Sequence, residues 1–166
     1  MVIKLQFVLT FLSLFILVIS LSFAETKTIE GITRVVDGDT LKIGKSQIRL
    51  HGIDAPESKQ RCRDQKLSDW LCGQEATKAL RKKINNRVVE CFSDKKDRYK
   101  RHIAICSVDG ANLNRWLVLN GWAVAYRKYS KDYIEAETAA KSIETGIWAG
   151  EFILPWEWRR GKRIKQ

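Results

Sequence analysis

Between residues 26 and 53 the chain alternates apolar and polar positions with the period of strands and breaks only at glycine-bearing turns. TIEGITRVVDG leads into TLKIG, and Gly44-Lys45 makes a tight turn into SQIRLHGI, where Ile48 and Leu50 face one side and Arg49 and His51 the other. The pattern predicts three consecutive antiparallel strands. Residues 54–72 carry Pro, Ser, Asp and charge without periodicity and read as a loop. A helix follows from about Gly73 to Asn85, with Ala76, Leu80 and Ile84 on one face. Two further strands are predicted, RVVECFS at 87–93 and HIAICSV at 102–108, the second with its partner face set by Ile103 and Ile105. Asn112 can cap a helix that Gly121 ends, and Asp132 with Glu135 opens a third helix. That helix has an apolar face of Tyr133, Ala136, Ala140 and Ile143 and stops at Gly146.

Five short strands with a helix between the third and fourth predict an α+β fold that is mainly β: a five-stranded barrel of the OB type with three helices and two disulfides. Such barrels often bind nucleic acid on one face. The expected organisation is a leader at 1–24, one domain at 25–150 and an aromatic, then basic, tail at 151–166. In that tail Trp156 and Trp158 are expected to lie against the domain.

The leader is expected because Lys4 precedes an unbroken apolar run ending in Ser22-Phe23-Ala24, small residues of the kind a signal peptidase reads. This predicts a secreted or periplasmic protein, attached to a membrane only if the segment is uncleaved. The formal net charge of +11 falls by one with Lys4 and still favours polyanionic partners. Four cysteines behind a leader favour disulfides. Cys91 and Cys106 sit near-symmetrically about a turn at 97–100, as a cross-strand pair would, which leaves Cys62 with Cys72. There is no CxxC or Cys/His cluster to suggest a zinc site.

Against this basic background stands DGD at 37–39. A calcium EF-hand is excluded, because the twelfth position from Asp37 or Asp39 is Ile48 or Leu50. The GKS at 44–46 lacks the leading glycine of a phosphate loop. A second acidic group, IDAPE at 53–57, falls where a hairpin brings Asp54 and Glu57 to the same end as Asp39. Converging carboxylates need a cation, and hard oxygen ligands in an exported protein favour Ca²⁺. With Arg49 and Arg101 nearby, the set suits phosphodiester hydrolysis. A metal would polarise the phosphoryl oxygen, planar arginines would hold the growing charge, and a free carboxylate would orient or deprotonate water. Tyr126 and Tyr129, in a basic stretch, are the place to look for stacking with a base. Trp70, Trp116, Trp122 and Trp148 suit packing, and His51 and His102 structural or surface roles.

DGDT at 37–40, RLHGIDAPE at 49–57, DRYKR at 97–101 and GWAVAYRKYS at 121–130 occur in the order, and at close to the spacing, of the staphylococcal nuclease (thermonuclease) family, which the chain resembles over about residues 30–150. The resemblance implies that Asp39, Asp54 and the backbone carbonyl of Ala55 bind calcium, that Glu57 positions or activates water, and that Arg49 and Arg101 clamp phosphate. It further implies that Arg98 and Tyr99 contact a substrate phosphate, that Tyr129 lies at the base-binding pocket, and that Asp37 and Gly38 shape the bend. The implied reaction is Ca²⁺-dependent hydrolysis of DNA and RNA that leaves 3′-phosphate ends. Nothing in the sequence argues for anything but a monomer, and no stable protein partner is implied. Lys100 and His102 stand where the family has glycines, so a positive φ at residue 100 would strain the turn that carries Arg101. Two other classes remain: a nucleic-acid-binding barrel without catalysis, and a cationic protein held at the envelope by its apolar N-terminus and basic tail.

Overall fold

The structure is a computed structural model that describes residues 27–165, so the expected leader lies outside the described residues. The alternating N-terminal segment forms β1 (Lys27–Val35), β2 (Thr40–Ile43) and β3 (Ser46–Leu50), each antiparallel to the one before. After a short β4 (Ile53–Asp54) comes a small hairpin, β5 (Cys62–Arg63) with β6 (Asp69–Trp70), inside the stretch expected to be loop. The disulfide between Cys62 and Cys72 ties this hairpin to helix α1 (Cys72–Ile84), and it is this covalent closure, invisible to periodicity, that gives the segment its shape. Helix α1 buries Ala76, Leu80 and Ile84, as its spacing required, and ends with Asn85 in the left-handed region at φ 47°.

Strands β7 (Val88–Lys96) and β8 (His102–Val108) complete the sheet in the order β3-β2-β1-β7-β8, followed by β9 (Ala111–Asn112). The barrel closes because β3 also pairs with β8, in parallel, with Ile48 opposite His102, Arg49 opposite Ile103 and Leu50 opposite Ala104. The result is a closed five-stranded mixed barrel rather than an all-antiparallel one. Closure satisfies the free edges of β3 and β8 against each other.

The phase of β8 differs from expectation. Ala104, Cys106 and Val108 face the core, whereas Ile103 and Ile105 face outward beside Phe92 and His51. The cause is the cross-strand disulfide: Cys91 and Cys106 are directly opposed at a Cα separation of 4.1 Å, and both are fully buried. Because strand faces alternate, burying Cys106 turns both isoleucines out.

Helix α2 (Leu113–Leu119) is capped by Asn112, whose side chain accepts the Arg115 N–H at 2.8 Å. Its buried Asn114 joins three elements: Oδ1 accepts the Cys106 N–H at 3.1 Å, and Nδ2 donates to the carbonyls of His51 (2.9 Å) and Ala104 (3.2 Å). β10 (Val124–Ala125) then pairs with β4 and leads to α3 (Ile134–Ser142). Asp132 does not cap α3, and Ile143 is 70% exposed rather than part of the apolar face. The helix is instead rotated to bury Glu137, which accepts the Ala125 N–H at 3.0 Å and contacts from Arg127 (2.6 Å) and Lys141 (2.9 Å). The chain reverses at Glu144, φ 48°, before Gly146 opens a 3-10 turn, Gly146–Ala149.

A fourth helix, α4 (Pro155–Arg159), lies in the tail. Trp70, Trp148, Phe152, Leu154 and Trp156 pack around the Cys62–Cys72 disulfide, Val124 and Ile147, so the aromatic part of the tail docks on a second small core. Trp158 is partly buried, with Arg163 over its ring at 4.3 Å. No helix among the described residues is long and apolar enough to cross a membrane.

The Cys91–Cys106 bridge spans a sequence separation of 15, for which loop-closure entropy gives about 3 kcal/mol of stabilisation. Replacing both cysteines by alanine is expected to lower the unfolding free energy by about that amount, read from urea unfolding with the slope fitted for each protein, since the uncrosslinked unfolded chain exposes more surface.

Candidate active site

The two acidic segments meet at one end of the barrel. At the β1–β2 bend the Asp37 carboxylate accepts the Asp39 N–H at 3.1 Å, and the Val36 N–H closes the turn onto the Thr40 carbonyl at 2.9 Å. Gly38 is required by space: a Cβ there would lie 2.7 Å from that of Ala55 and 3.2 Å from that of Ala76. The bend turns Asp39 inward, 2% exposed, where Oδ2 accepts the Ala55 N–H at 2.9 Å and Oδ1 the Thr40 hydroxyl at 3.2 Å.

Arg49, opposite Thr40 on β3, reaches across with both ends of its guanidinium. Nη1 pairs with Asp39 Oδ1, and Nη2 donates to Asp54 Oδ1 at 2.6 Å. Asp54 is fully buried on β4, where pairing with Val124 of β10 fixes it. Glu57 stands at the rim, its side chain 35% exposed, on a turn held by Gln60, whose N–H donates to the Glu57 carbonyl at 2.7 Å. The N-terminus of α1 abuts the same turn; a Cβ on Gly73 would fall 1.9 Å from the Glu57 carbonyl oxygen.

A second arginine completes the cluster, and sequence reasoning missed it. Arg159, the last residue of α4, donates from Nη2 to Asp54 Oδ2 at 2.7 Å and from Nη1 to Asp54 Oδ1 at 3.1 Å and Glu57 Oε1 at 2.6 Å. In the sequence it sits in a terminal run of basic residues, and nothing there separates it from its neighbours.

Burial pushes the Asp39 carboxyl up to about 7, with the charges of Asp37 and Asp54 adding to the rise while Arg49 and the Ala55 N–H oppose it. Burial opposes charge on Arg159 too, but Asp54 and Glu57 outweigh it and hold the guanidinium ionised. Among the described residues no three His, Cys, Asp or Glu side chains converge as a ready metal cage. The donor chemistry nonetheless fits a hard divalent cation. Two buried carboxylates flank a single guanidinium, and Asp39 remains poorly neutralised even with Arg49 against it.

The other expected residues fall into two groups. In the β7–β8 turn, Asp97 organises the loop: Oδ1 accepts the N–H groups of Tyr99 (2.9 Å) and Arg101 (3.0 Å), and Oδ2 accepts the Arg101 Nε at 2.7 Å. Although burial acts upward, these bonds hold Asp97 below its usual carboxylate value. Asp at the first position of a turn was the signal for this role. Arg98 donates to the Tyr99 hydroxyl at 2.6 Å and lies 4.7 Å above its ring, with Arg101 at 5.4 Å. Arg101 makes no contact with the carboxylates of Asp39, Asp54 or Glu57; its side chain is paired with Asp97. It immediately precedes β8, two residues before Ile103, the β8 partner of Arg49. Lys100 takes φ 64°, so a non-glycine residue does occupy a left-handed turn position.

The last group follows β10. Tyr126 donates its N–H to the Gly52 carbonyl at 2.8 Å, and its ring stacks on Trp156, centroids 5.0 Å apart and planes within 7°. The tail thus covers one face of Tyr126, while Tyr129 meets it edge-on at 4.8 Å and stays 57% exposed.

The family model described as staphylococcal nuclease homologue matches residues 47–150. A protein described as an uncharacterized endonuclease, from Haemophilus influenzae, is 34% identical over 167 aligned positions, covering 96% of this chain and 88% of its own length. The succinoglycan biosynthesis protein ExoI of Rhizobium meliloti is 37% identical over 124 residues, covering 73% of this chain, which spans only 65% of that relative's length. A probable staphylococcal-like nuclease, CAN1, of Oryza sativa is 33% identical over 129 residues, 76% of this chain and 36% of its own.

Two outcomes are expected. Without metal, the native state holds the Asp39 proton to about pH 7 and the unfolded chain only to about 3.8, so this group's contribution to stability is full below pH 3.8 and is lost as pH rises through 7. In chelator, urea unfolding should therefore show wild type losing more stability between about pH 5 and 8 than Asp39→Asn. Lys100→Gly should raise stability by about 1 kcal/mol by relieving the left-handed lysine, seen as a higher urea midpoint.

Proposed function

This chain belongs to the staphylococcal nuclease homologue family, and from that premise we propose that it is an endonuclease hydrolysing phosphodiester bonds of DNA and RNA with Ca²⁺ and leaving 3′-phosphate ends. The observation that carries this reading is the arginine set between two buried aspartates with a partly exposed glutamate at its rim. A solvated surface arginine would not need such a cradle, and a barrel kept only for binding would not need buried, poorly neutralised carboxylates.

Asp39, Asp54 and the Ala55 carbonyl would hold the metal, which when bound would supply Lewis-acid polarisation of a phosphoryl oxygen. The chain's own residues do the rest. The guanidinium of Arg49 is kept charged by Asp39 and Asp54 and presents its planar fork beside them, suited to phosphoryl oxygens as their charge grows. Arg101, just before the strand that pairs with β3, is the second clamp. Glu57 accepts a proton from water attacking phosphorus, the P–O5′ bond breaks as O5′ takes a proton from solvent, and the phosphate stays on the 3′ oxygen. Arg98 and Tyr99 meet a flanking phosphate, and exposed Tyr129 offers a face for a base. The net charge of +11 favours binding of a polyanion and implies strong salt dependence.

Two disulfides suit an oxidising compartment, which supports export to the periplasm or beyond. The protein acts as a monomer in this reading, with nucleic acid as its only partner.

The decisive assay is cleavage of single-stranded DNA and RNA with Ca²⁺ or chelator, beside Glu57→Gln. Cleavage should require Ca²⁺, leave 3′-phosphate ends, and fall about 10²- to 10⁴-fold in the variant. Binding without cleavage at every Ca²⁺ concentration would instead make the barrel a nucleic-acid-binding module.

A further inference from the structure

Both oxygens of Asp54 are already taken. Arg49 holds Oδ1, and Arg159 lies across Oδ1 and Oδ2 while its Nη1 also holds Glu57. A divalent cation cannot share Asp54 with two guanidiniums at these distances without severe like-charge repulsion, so one of them must yield. The structure favours Arg159. Arg49 springs from a strand paired on both edges, with its side chain 20% exposed, whereas Arg159 is 38% exposed at the end of a five-residue helix.

The tail is attached on both sides of Arg159, downstream where Arg63 donates to the Lys165 carbonyl at 3.4 Å and upstream through the contacts that follow, so the Arg159 side chain can withdraw while the helix stays docked. Gln60, on the Glu57 turn, donates from Nε2 to the Ile153 carbonyl at 2.6 Å. Pro155 is buried, and Trp156 stacks on Tyr126. These contacts deliver a long, flexible cationic side chain to the site but do not fix its tip.

We infer that Arg159 is the site's internal counter-ion: it neutralises Asp54 and restrains Glu57 while no divalent cation is bound, and it withdraws when one binds. This rests on the metal reading above and deepens it, because the C-terminal helix then sets metal affinity and couples metal entry to release of Glu57. The charge logic requires it. Removing a partner from a buried carboxylate is strongly unfavourable, so Asp54 keeps Arg159 until a better cation replaces it.

The test is Ca²⁺ binding by calorimetry to the purified wild type, Arg159→Gln and Arg159→Lys in the absence of substrate. It is paired with the ¹⁵Nε resonance of Arg159, assigned by its loss in either variant. If Arg159 covers the site about nine-tenths of the time, its removal tightens Ca²⁺ binding about tenfold. The lysine variant should fall between, and saturating Ca²⁺ should shift the wild-type Nε signal to that of a solvent-exposed arginine. Ca²⁺ should also raise the Tm of Arg159→Gln more than that of wild type. Equal affinities with an unmoved Nε signal would overturn the proposal and leave the metal reading intact, as would weaker binding by the glutamine variant. No Ca²⁺ binding by any of the three would overturn the metal reading and this inference together. Should Arg159→Gln fail to fold, the lysine variant and the wild-type Nε signal decide the matter alone.

Discussion

The parallel pairing of β3 with β8 is the constraint on which the rest of the structure depends. It leaves β3 without a free edge, held by β2 on one side and β8 on the other, and thereby fixes the base of Arg49. Each neighbouring feature is referred to that strand. The Leu50 N–H donates to the Asp39 carbonyl, the His51 N–H to the Ala104 carbonyl, and Asn114 joins the end of β3 to α2 and β8. A strand held in this way can aim one guanidinium at two carboxylates, because its backbone is hydrogen-bonded along both edges.

The acids at the bend make sense only against the charge around them. A chain with a net charge of +11 has no general need of buried aspartates, and burying them is costly unless something positive is supplied in return. Arg49 supplies part of it from within the barrel, and Arg159 supplies more from the far end of the chain. The tail earns its place through this contact and through its aromatic packing on the Cys62–Cys72 disulfide. Gln60 links the two roles, since it braces the Glu57 turn on one side and the tail carbonyl of Ile153 on the other.

Most of the barrel was legible in the sequence because strand alternation is a local signal. The three N-terminal strands, the face of α1 and the cap of α2 all followed from residues close together in the chain. The misreadings have a common origin in long-range partners. Ile103 and Ile105 look like core residues until Cys106 must meet Cys91, and Ile143 looks like part of a helix face until Glu137 must meet Ala125, Arg127 and Lys141. In each case the phase of an element was decided by a contact that its own apolar pattern does not encode.

By itself the sequence determined the two acidic segments, the arginine between them and the number of cysteines, because these depend on residue identity and spacing over short distances. Only the tertiary structure decided that Arg159 joins them. Arg159 and Asp54 are 105 positions apart in the chain and 2.7 Å apart in space. Such a separation leaves no local signature, since an exposed basic tail and a tail that carries a counter-ion have the same composition. What distinguishes them is where the Cys62–Cys72 core and the stacked Trp156 bring the helix down, and that is a property of the packed fold.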